Sequence, residues 1–561
     1  MSRRLFVAGV LAAALGGTAL RTLWLRADPP TSAAGIVWHD EGAWTHNARN
    51  LALWGEVRTD NWNPVYIAPV FTLLEYGSFR LFGVGTWQAR VVPVASGLAA
   101  VLLLIVGLNR VAGRHVALVG GALLATNYLF VMWNRAALME STMTSFMVAA
   151  WAAYVLAERR PAWGLVAGAC AVLAFLTKAA AAFFLAAIAI DALVALVRPD
   201  SHRAARMTLA GLVGAAAIAA AVFVIPAWAE YYQYNWVTSV ERKPSYTLAS
   251  LIDRASWLPV AQGFFSRMWL VLLGAALGAL GVAARWRTAR PGERLLVLWV
   301  LLGLVELVAH DAGNARRYVM FIPALIALAA LFAASDRTWM PAELAQAGRS
   351  TRWLAVSLVL VAAYLVVGSL VRIVLLDDVL AGRFSTTVRI AAAAAVLTGL
   401  GVVWRWTTLI GWTAARRLPR GWLAALVGVA LAWNGAQYVS WAAGRTELNY
   451  RASVEVGRLL PPGTLVHGKL ANGLALDNRI RPVFVGNGFG NYDDRLSRDD
   501  VGYILTYVLP RVGYESQDGS GLIQEILDQY PNRRMVRTFD VQETPDLDRA
   551  ALIQKNSRAR N

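Results

Sequence analysis

The sequence predicts an α-helical membrane protein that crosses the bilayer many times, followed by a small soluble α/β domain. Hydrophobic residues make up 57% of the 561 positions and charged residues only 16%, whereas soluble proteins carry about 25% charged residues. The apolar residues lie in long blocks, each roughly the 20 residues that cross a hydrocarbon core. Inside lipid, a continuous apolar block must be helical to pair its own backbone groups. After about residue 446 the blocks stop and the composition becomes mixed.

The apolar blocks predict thirteen spans, centred near residues 14, 101, 124, 147, 170, 188, 217, 275, 302, 326, 363, 396 and 432. The first block follows Ser2-Arg3-Arg4 and is interpreted as an uncleaved helix, with a cleaved signal peptide as the alternative. The connections on the side of the N-terminus are short and basic, as the positive-inside rule requires of cytoplasmic loops. Their arginines are Arg110, Arg114, Arg159, Arg160, Arg198, Arg203, Arg206, Arg285, Arg287, Arg290, Arg294, Arg337, Arg349, Arg352, Arg405, Arg416, Arg417 and Arg420. An odd number of spans then leaves the C-terminus outside.

The net charge of +18 does not indicate a nucleic-acid-binding protein, because the basic residues are spread between the hydrophobic blocks and form no single patch. Lysine is scarce: the chain contains only Lys178, Lys243, Lys469 and Lys555. The single cysteine, Cys170, lies inside an apolar block and cannot form an intrachain disulfide.

Two outside loops are long, at about residues 27–90 and 228–265. In the first, the apolar segment from Pro64 to Phe82 is interrupted by Pro69, Glu75 and Gly77, which favours a helix lying in the membrane interface. The same loop is rich in tryptophan, which favours the headgroup level, so we expect it to lie against the outer leaflet. These residues are Trp38, Trp44, Trp54, Trp62 and Trp87.

The C-terminal part has the pattern of a soluble α/β domain. Short strands are predicted at 465–468, 481–485, 502–508 and 534–541, and a helix at 520–530 with Ser520 as its N-cap. The run Gly486-Asn487-Gly488-Phe489-Gly490 lacks the spacing of a dinucleotide fingerprint and is predicted to be a loop. The predicted division is therefore a transmembrane domain at 1–445 and an extracytoplasmic domain at 446–561.

The first candidate for chemistry is the acidic pair Asp40-Glu41 in the first outside loop. Adjacent carboxylates repel, so one can have a raised pKa while the other needs a cationic partner. A carboxylate placed against a hydroxyl can act as general base. The structural alternative is a helix cap, since Asp40 precedes a predicted helix over 41–54.

Further candidates lie at the predicted outer ends of later spans. Glu140, preceded by Arg135, opens the fourth span and is either a helix-dipole partner or a second acid facing the same cavity. Lys178, at the hydrocarbon edge, either extends its ammonium toward water by snorkelling or contacts a phosphate near the headgroups. Arg316-Arg317-Tyr318 offers guanidinium groups suited to phosphate. Glu306 and His310 are four residues apart and share a helix face; His39, His46 and His310 form no strong metal pattern.

These residues together resemble a family. Five segments follow in the order that resembles GT-C glycosyltransferases of the protein O-mannosyltransferase and lipid A aminoarabinose transferase superfamily. They are His39-Asp40-Glu41-Gly42, 69–83 with Trp87 and Arg90, Arg135 with Glu140, Phe175-Leu176-Thr177-Lys178, and Arg317-Tyr318 with Pro323. The resemblance covers residues 1 to about 335. Glu140 stands where many members carry Asp, and Ala179 where many carry Gly.

The resemblance implies an inverting transfer of a sugar from a polyprenyl-phosphate donor to a hydroxyl of a protein, lipid or glycan, on the outer side of the bacterial cytoplasmic membrane. It implies three catalytic residues: Asp40 as the base, Glu41 as its support, and Glu140. The implied donor-phosphate contacts are Lys178, Arg317, Tyr318, Arg90 and Arg135, and the cavity or acceptor contacts are Glu306, His310, His39 and Arg49. No cofactor is firmly implied, although a divalent metal is compatible with the family.

Two other functions fit the same sequence. A transporter or flippase of a lipid-linked glycan would share the spans and the lipid ligand, but such proteins often show paired repeats and broken helices, and neither is evident here. A sensor or scaffold would use the C-terminal domain as its working part.

Overall fold

The computed structural model describes residues 1–241, 246–258, 263–334, 348–374, 385–406, 408, 420–508, 520–541 and 548–556. Lys243 and the predicted cytoplasmic residues Arg337, Arg416 and Arg417 lie outside the described residues.

Helices dominate the first 460 residues. In chain order they are α1 (Arg3–Thr22), α2 (Thr31–Ala34), α3 (Asp40–Trp54), α4 (Pro69–Phe82), α5 (Thr86–Ala112), α6 (Arg114–Thr126), α7 (Tyr128–Trp133), α8 (Met139–Ala157), α9 (Trp163–Thr177), α10 (Ala182–Leu196), α11 (His202–Ala219), α12 (Trp228–Tyr232), α13 (Leu248–Trp257), α14 (Trp269–Ala284), α15 (Pro291–His310), α16 (Ile322–Ala334), α17 (Arg349–Val374), α18 (Ser385–Trp404), α19 (Arg420–Ala443) and α20 (Leu448–Leu459). Short 3-10 segments occupy Pro64–Tyr66, Ala179–Ala181, Phe265–Met268 and Ala315–Phe321, and π-helical segments occupy Ala220–Val224 and Gln233–Glu241.

The helices confirm a multi-pass membrane protein. Every one of the thirteen predicted centres falls inside a helix. By length and composition, eight helices of the described residues could cross a membrane, while those at Arg114–Thr126, Trp163–Thr177 and Val388–Trp404 are apolar but shorter. The count of thirteen spans is therefore not confirmed.

The C-terminal part forms a mixed sheet. Its strands are β1 (Leu465–His467), β2 (Arg481–Val483), β5 (Tyr503–Tyr507), β6 (Arg534–Val541) and β7 (Asp548–Gln554), in the spatial order β2-β1-β5-β7-β6. β1 pairs parallel with β2 and β5, whereas β7 pairs antiparallel with β5 and β6. Helices α21 (Lys469–Gly473) and α22 (Ser520–Asp528) accompany the sheet.

Four predicted strands and the predicted helix are therefore present, whereas β7, α20 and α21 were not predicted. The glycine-rich run predicted as a loop contains a small antiparallel hairpin, in which β3 (Val485–Gly486) pairs with β4 (Phe489–Gly490). Gly488 and Gly490 have φ values of +74° and +67°, a region that favours glycine because it has no Cβ.

The first outside loop folds against protein more than the sequence predicted. A helix begins at Pro69, as the break there suggested, but Glu75 and Gly77 lie within it without interrupting it. The expectation that the tryptophans face the headgroups is wrong for two of them. Trp38 is 2% exposed within the core of the C-terminal part, and the Trp62 ring stacks on Phe484 with centroids 4.7 Å apart.

The C-terminal part is docked on α3. The guanidinium of Arg49 donates to the backbone carbonyls of Ala475, Asn478 and Ile480 at 3.1, 3.0 and 2.9 Å. A Cβ added to Gly42 would lie 1.8 Å from the carbonyl oxygen of Asn472, so the two backbones touch there. The docking places residues near 469 and 484 over the start of α3.

Replacing Arg49 with Met should loosen this docking. The substitution leaves three enclosed carbonyls without their donor, and a buried polar group without a partner costs about 1–3 kcal/mol of folding free energy. We expect a lower thermal midpoint in detergent and faster proteolysis of the C-terminal part. Arg479→Met is the control, because Arg479 is exposed on the same part of the chain; equal midpoints for the two variants would contradict this account.

Candidate active site

A cavity of about 650 Å³ lies where the first outside loop, the helix ends and the C-terminal part meet. Its volume is in the range of small-ligand sites, roughly 300–1,000 Å³. Its lining combines charged groups with apolar and aromatic groups. The lining residues are Asp40, Ala43, Trp44, Trp62, Ile67, Met139, Phe175, Lys178, Ala179, Ala180, Ala182, Asn235, Trp236, Glu306, His310, Arg316, Arg317, Lys469 and Phe484.

The charged residues that line the cavity carry an excess of positive charge. Four cations line it, namely Lys178, Arg316, Arg317 and Lys469, against the two carboxylates of Asp40 and Glu306. Cations that converge on an enclosed space favour an anionic ligand, because their attraction is less screened there than in open water.

Asp40 begins α3, with its side chain 11% exposed to the cavity. Arg316 Nη1 donates to Asp40 Oδ2 at 3.0 Å, and Lys469 Nζ and His39 Nδ1 lie 3.6 and 3.4 Å from Oδ1. Burial raises the pKa of the Asp40 carboxyl, but the charge of Lys469, the contact with His39 and the charge of Arg316 outweigh it and hold that pKa well below its usual range. Asp40 is therefore ionised. Asp40 is the first residue of α3 and not its N-cap, a position that His39 occupies without a side-chain capping bond.

Lys178 sits between the ends of two apolar helices, α9 and the segment beginning at Ala179. Its ammonium donates to Glu140 Oε1, in the first turn of α8. Burial lowers the pKa of Lys178, the negative charge of Glu140 raises it, and the positive charge of Arg316 lowers it further. The resulting pKa is about 8. Lys178 therefore lies close to losing its charge at mildly basic pH.

Glu306 and His310 share a helix face, as their spacing predicted, with His310 Nδ1 3.6 Å from Glu306 Oε1. The shorter contact of Glu306 is with Arg317, whose Nη1 donates to it at 2.9 Å. Arg317 Nε also lies 3.6 Å from Asp311. The two acids hold the Arg317 guanidinium at the cavity wall.

Glu41 points away from the cavity. Arg90 Nε and Nη2 donate to its two carboxylate oxygens at 2.8 and 2.6 Å, and the backbone N–H of Ala137 donates at 2.7 Å. Nearby, burial and then the charge of Glu41 raise the pKa of Glu75 well above its usual range. Glu41 and Arg90 thus tie α3, α5 and the turn before α8 together.

Several residues implied by the resemblance do not line the cavity. Arg135 donates to the carbonyls of Leu20, Arg21 and Trp24. Tyr318 is fully buried, with its hydroxyl donating to Ala312 O at 2.6 Å. Arg49 holds the C-terminal part, and His39 is buried behind Asp40. The structure therefore brings together Asp40, Lys178, Glu306, His310 and Arg317, with Glu140 directly behind Lys178.

Other lining residues were missed by sequence reasoning. Arg316 was noticed only as part of a basic run, yet it makes the 3.0 Å contact to Asp40. Lys469, Phe484 and Trp236 come from segments in which no site residue was predicted. The scarcity of lysine was the one signal that could have drawn attention to Lys469. Within the described ranges, no group of three or more His, Cys, Asp and Glu side chains is arranged to hold a metal ion.

The Glu41–Arg90 pair can be tested by a double-mutant cycle. Arg90→Met leaves a buried carboxylate unpaired, and breaking such a pair costs about 3–5 kcal/mol. We expect Glu41→Gln combined with Arg90→Met to be less destabilised than Arg90→Met alone, because the stranded charge is removed. The measurement is the thermal midpoint in detergent of Glu41→Gln, of Arg90→Met and of the double variant, each compared with the wild type. Strictly additive effects would contradict the pairing.

Comparison with known proteins gives one family match and several structural likenesses. Residues 66–228 match the family model described as dolichyl-phosphate-mannose-protein mannosyltransferase. No curated protein matches the chain.

Three solved structures illustrate the likenesses, all at low identity. ArnT from Cupriavidus metallidurans bound to undecaprenyl phosphate is 16% identical with a TM-score of 0.48, over 99% of this chain and 98% of that one. The Archaeoglobus fulgidus oligosaccharyltransferase is 14% identical with a TM-score of 0.44, over 90% and 70%. The arabinofuranosyltransferase AftD from Mycobacteria is 13% identical with a TM-score of 0.45, over 100% and 40%. The match over residues 66–228 confirms, for that segment, the resemblance to the protein O-mannosyltransferase family seen in the sequence.

Proposed function

We propose that the chain transfers a sugar from a polyprenyl-phosphate donor to a hydroxyl acceptor, with inversion, at the outer face of a bacterial cytoplasmic membrane. The observation that carries the proposal is an ionised Asp40 inside a cavity with four cations. The proposal includes a cytoplasmic N-terminus, a transmembrane domain at 1–445 and an extracytoplasmic domain at 446–561.

The position of the cations suits a lipid-linked phosphate. Lys178 follows α9 directly, and Arg316 and Arg317 lie at the start of the helical stretch Ala315–Ala333, which is long and apolar enough to cross a membrane. Charged groups at the ends of such helices lie near the headgroup level. A polyprenyl chain in the bilayer holds its phosphate at the same level.

The proposed reaction is a single displacement. The acceptor oxygen forms a bond to the anomeric carbon while the bond from that carbon to the phosphate oxygen breaks, so the configuration inverts. The acceptor proton passes to Asp40, and the phosphate leaves with the electron pair and one additional negative charge. Lys178 and Arg317 stabilise that charge as it develops.

The low pKa of Asp40 makes it a weak base before the donor binds. Lys469 and Arg316 lower that pKa, and a bound phosphate adds a negative charge near the carboxylate. Donor binding therefore raises the basicity of Asp40 at the moment when a base is needed, since a like charge nearby disfavours a carboxylate.

Asp40→Asn tests the assignment of the base. General-base catalysis contributes about 10²–10⁴-fold, so we expect at least a hundredfold loss of sugar transfer with normal membrane insertion. Transfer from a radiolabelled polyprenyl-phosphate sugar in membranes is the measurement. Glu56→Gln, an exposed acid in the same loop, is the control, and near-normal activity of Asp40→Asn would disprove the assignment.

The pKa of Lys178 predicts that kcat/KM for the donor depends on pH. Because its pKa is about 8, kcat/KM for the donor should fall as pH rises through that value, since the neutral amine no longer attracts phosphate. Lys178→Arg should abolish this fall, because guanidinium stays protonated. A pH profile of kcat/KM with both proteins checks this, and an identical decline in both would assign it to another group.

The flippase alternative is distinguished by product analysis. Purified protein in liposomes, supplied with labelled donor and acceptor, should form a glycosylated product. Movement of the intact lipid across the bilayer with no product would favour transport.

A further inference from the structure

We propose that Lys469, in the C-terminal part of the chain, is a further substrate-contacting residue whose ammonium binds the donor phosphate beside Asp40. The inference rests on the proposed function and extends it, because it makes the C-terminal part a component of the active site.

The first support is the number of carboxylates that contact each cation of the cavity. Lys178 has Glu140 in close contact, and Arg317 is held by Glu306 and Asp311. Lys469, by contrast, shares Asp40 with Arg316, and its contact is the longer one, at 3.6 Å against 3.0 Å. Two cations on one carboxylate leave positive charge available to a second anion.

The second support is that the position of Lys469 is fixed by the docking of the helix that it begins. The Asn472 amide lies 3.0 Å from His46 Nδ1 on α3. A Cβ added to Gly473 would lie 2.7 Å from His39 Cβ, so the end of this helix touches the start of α3. The docking fixes the Lys469 backbone beside the cavity, so only its side chain loses freedom when it binds a ligand.

The third support is the movement of charge during the reaction. When Asp40 takes the acceptor proton it becomes neutral and no longer attracts Lys469. In the same step the departing phosphate gains one negative charge. The ammonium therefore exchanges one anionic partner for another without leaving the cavity, and this contact strengthens only as the sugar–phosphate bond breaks.

A purely tuning role, in which Lys469 acts only on Asp40, makes a different prediction. Tuning requires the Asp40 carboxylate, whereas phosphate binding does not. Lys469→Met should therefore weaken phosphate binding even when Asp40 is replaced by Asn.

The test is equilibrium binding of farnesyl phosphate to the full-length protein in detergent, with farnesol as the ligand lacking phosphate. Losing one charge-assisted contact should weaken farnesyl phosphate binding by roughly 10–100-fold in Lys469→Met and leave farnesol binding unchanged. Lys469→Arg should retain binding within a few-fold. Arg479→Met, which removes an exposed cation of the same part of the chain, should bind as the wild type does.

The outcomes of the binding experiment separate the role of Lys469 from the proposed function of the chain. If Lys469→Met and Lys469→Gln bind farnesyl phosphate as tightly as the wild type, the role of Lys469 is overturned while the proposed function stands. If the wild type transfers no sugar and binds no farnesyl phosphate, both fail together. If binding is lost in Lys469→Met only when Asp40 is present, Lys469 is a positioning residue, and its contact with phosphate is overturned. Thermal midpoints within the range of Arg479→Met exclude misfolding as the cause.

Discussion

The carboxylate of Asp40 connects three parts of the chain that are far apart in sequence. It belongs to the first outside loop, its partner Arg316 to the 3-10 segment that follows α15, and its partner Lys469 to the C-terminal part. A buried carboxylate is costly unless it is paired, so each of these parts must keep its place for the charge to be tolerated. The cavity is the space left between them.

The neighbouring acids Asp40 and Glu41 illustrate how helix geometry separates two adjacent charges. Successive side chains on a helix diverge by about 100°, so one can face the cavity while the other faces the protein. Glu41 receives two bonds from Arg90 and one from the Ala137 N–H, which tie three segments of the chain together. Asp40 remains in contact with cations that a ligand can also reach.

Sequence reasoning succeeded where the signal was local. The hydrophobic blocks placed a helix at every predicted centre, and the four-residue spacing placed Glu306 beside His310. It failed for contacts made in three dimensions. Lys469 lies 429 positions from Asp40 in the sequence. Trp38 and Trp62 have the sequence context of aromatic residues at the headgroup level, but in the folded chain other parts of the protein bury them. The count of spans was also not confirmed, because length and composition alone do not separate short spans from buried helices.

The excess of cations also raises the question of how the product leaves. In the proposed reaction the product, polyprenyl phosphate, carries one more negative charge than the donor, so Arg316, Lys469 and their neighbours attract it more strongly. In the proposed chemistry, however, Asp40 holds a proton only as long as the reaction lasts. When the proton is lost to water, the carboxylate returns and competes with the phosphate for both cations. Recovery of the Asp40 charge therefore restores the base and weakens product binding in the same event, so that deprotonation and release are coupled.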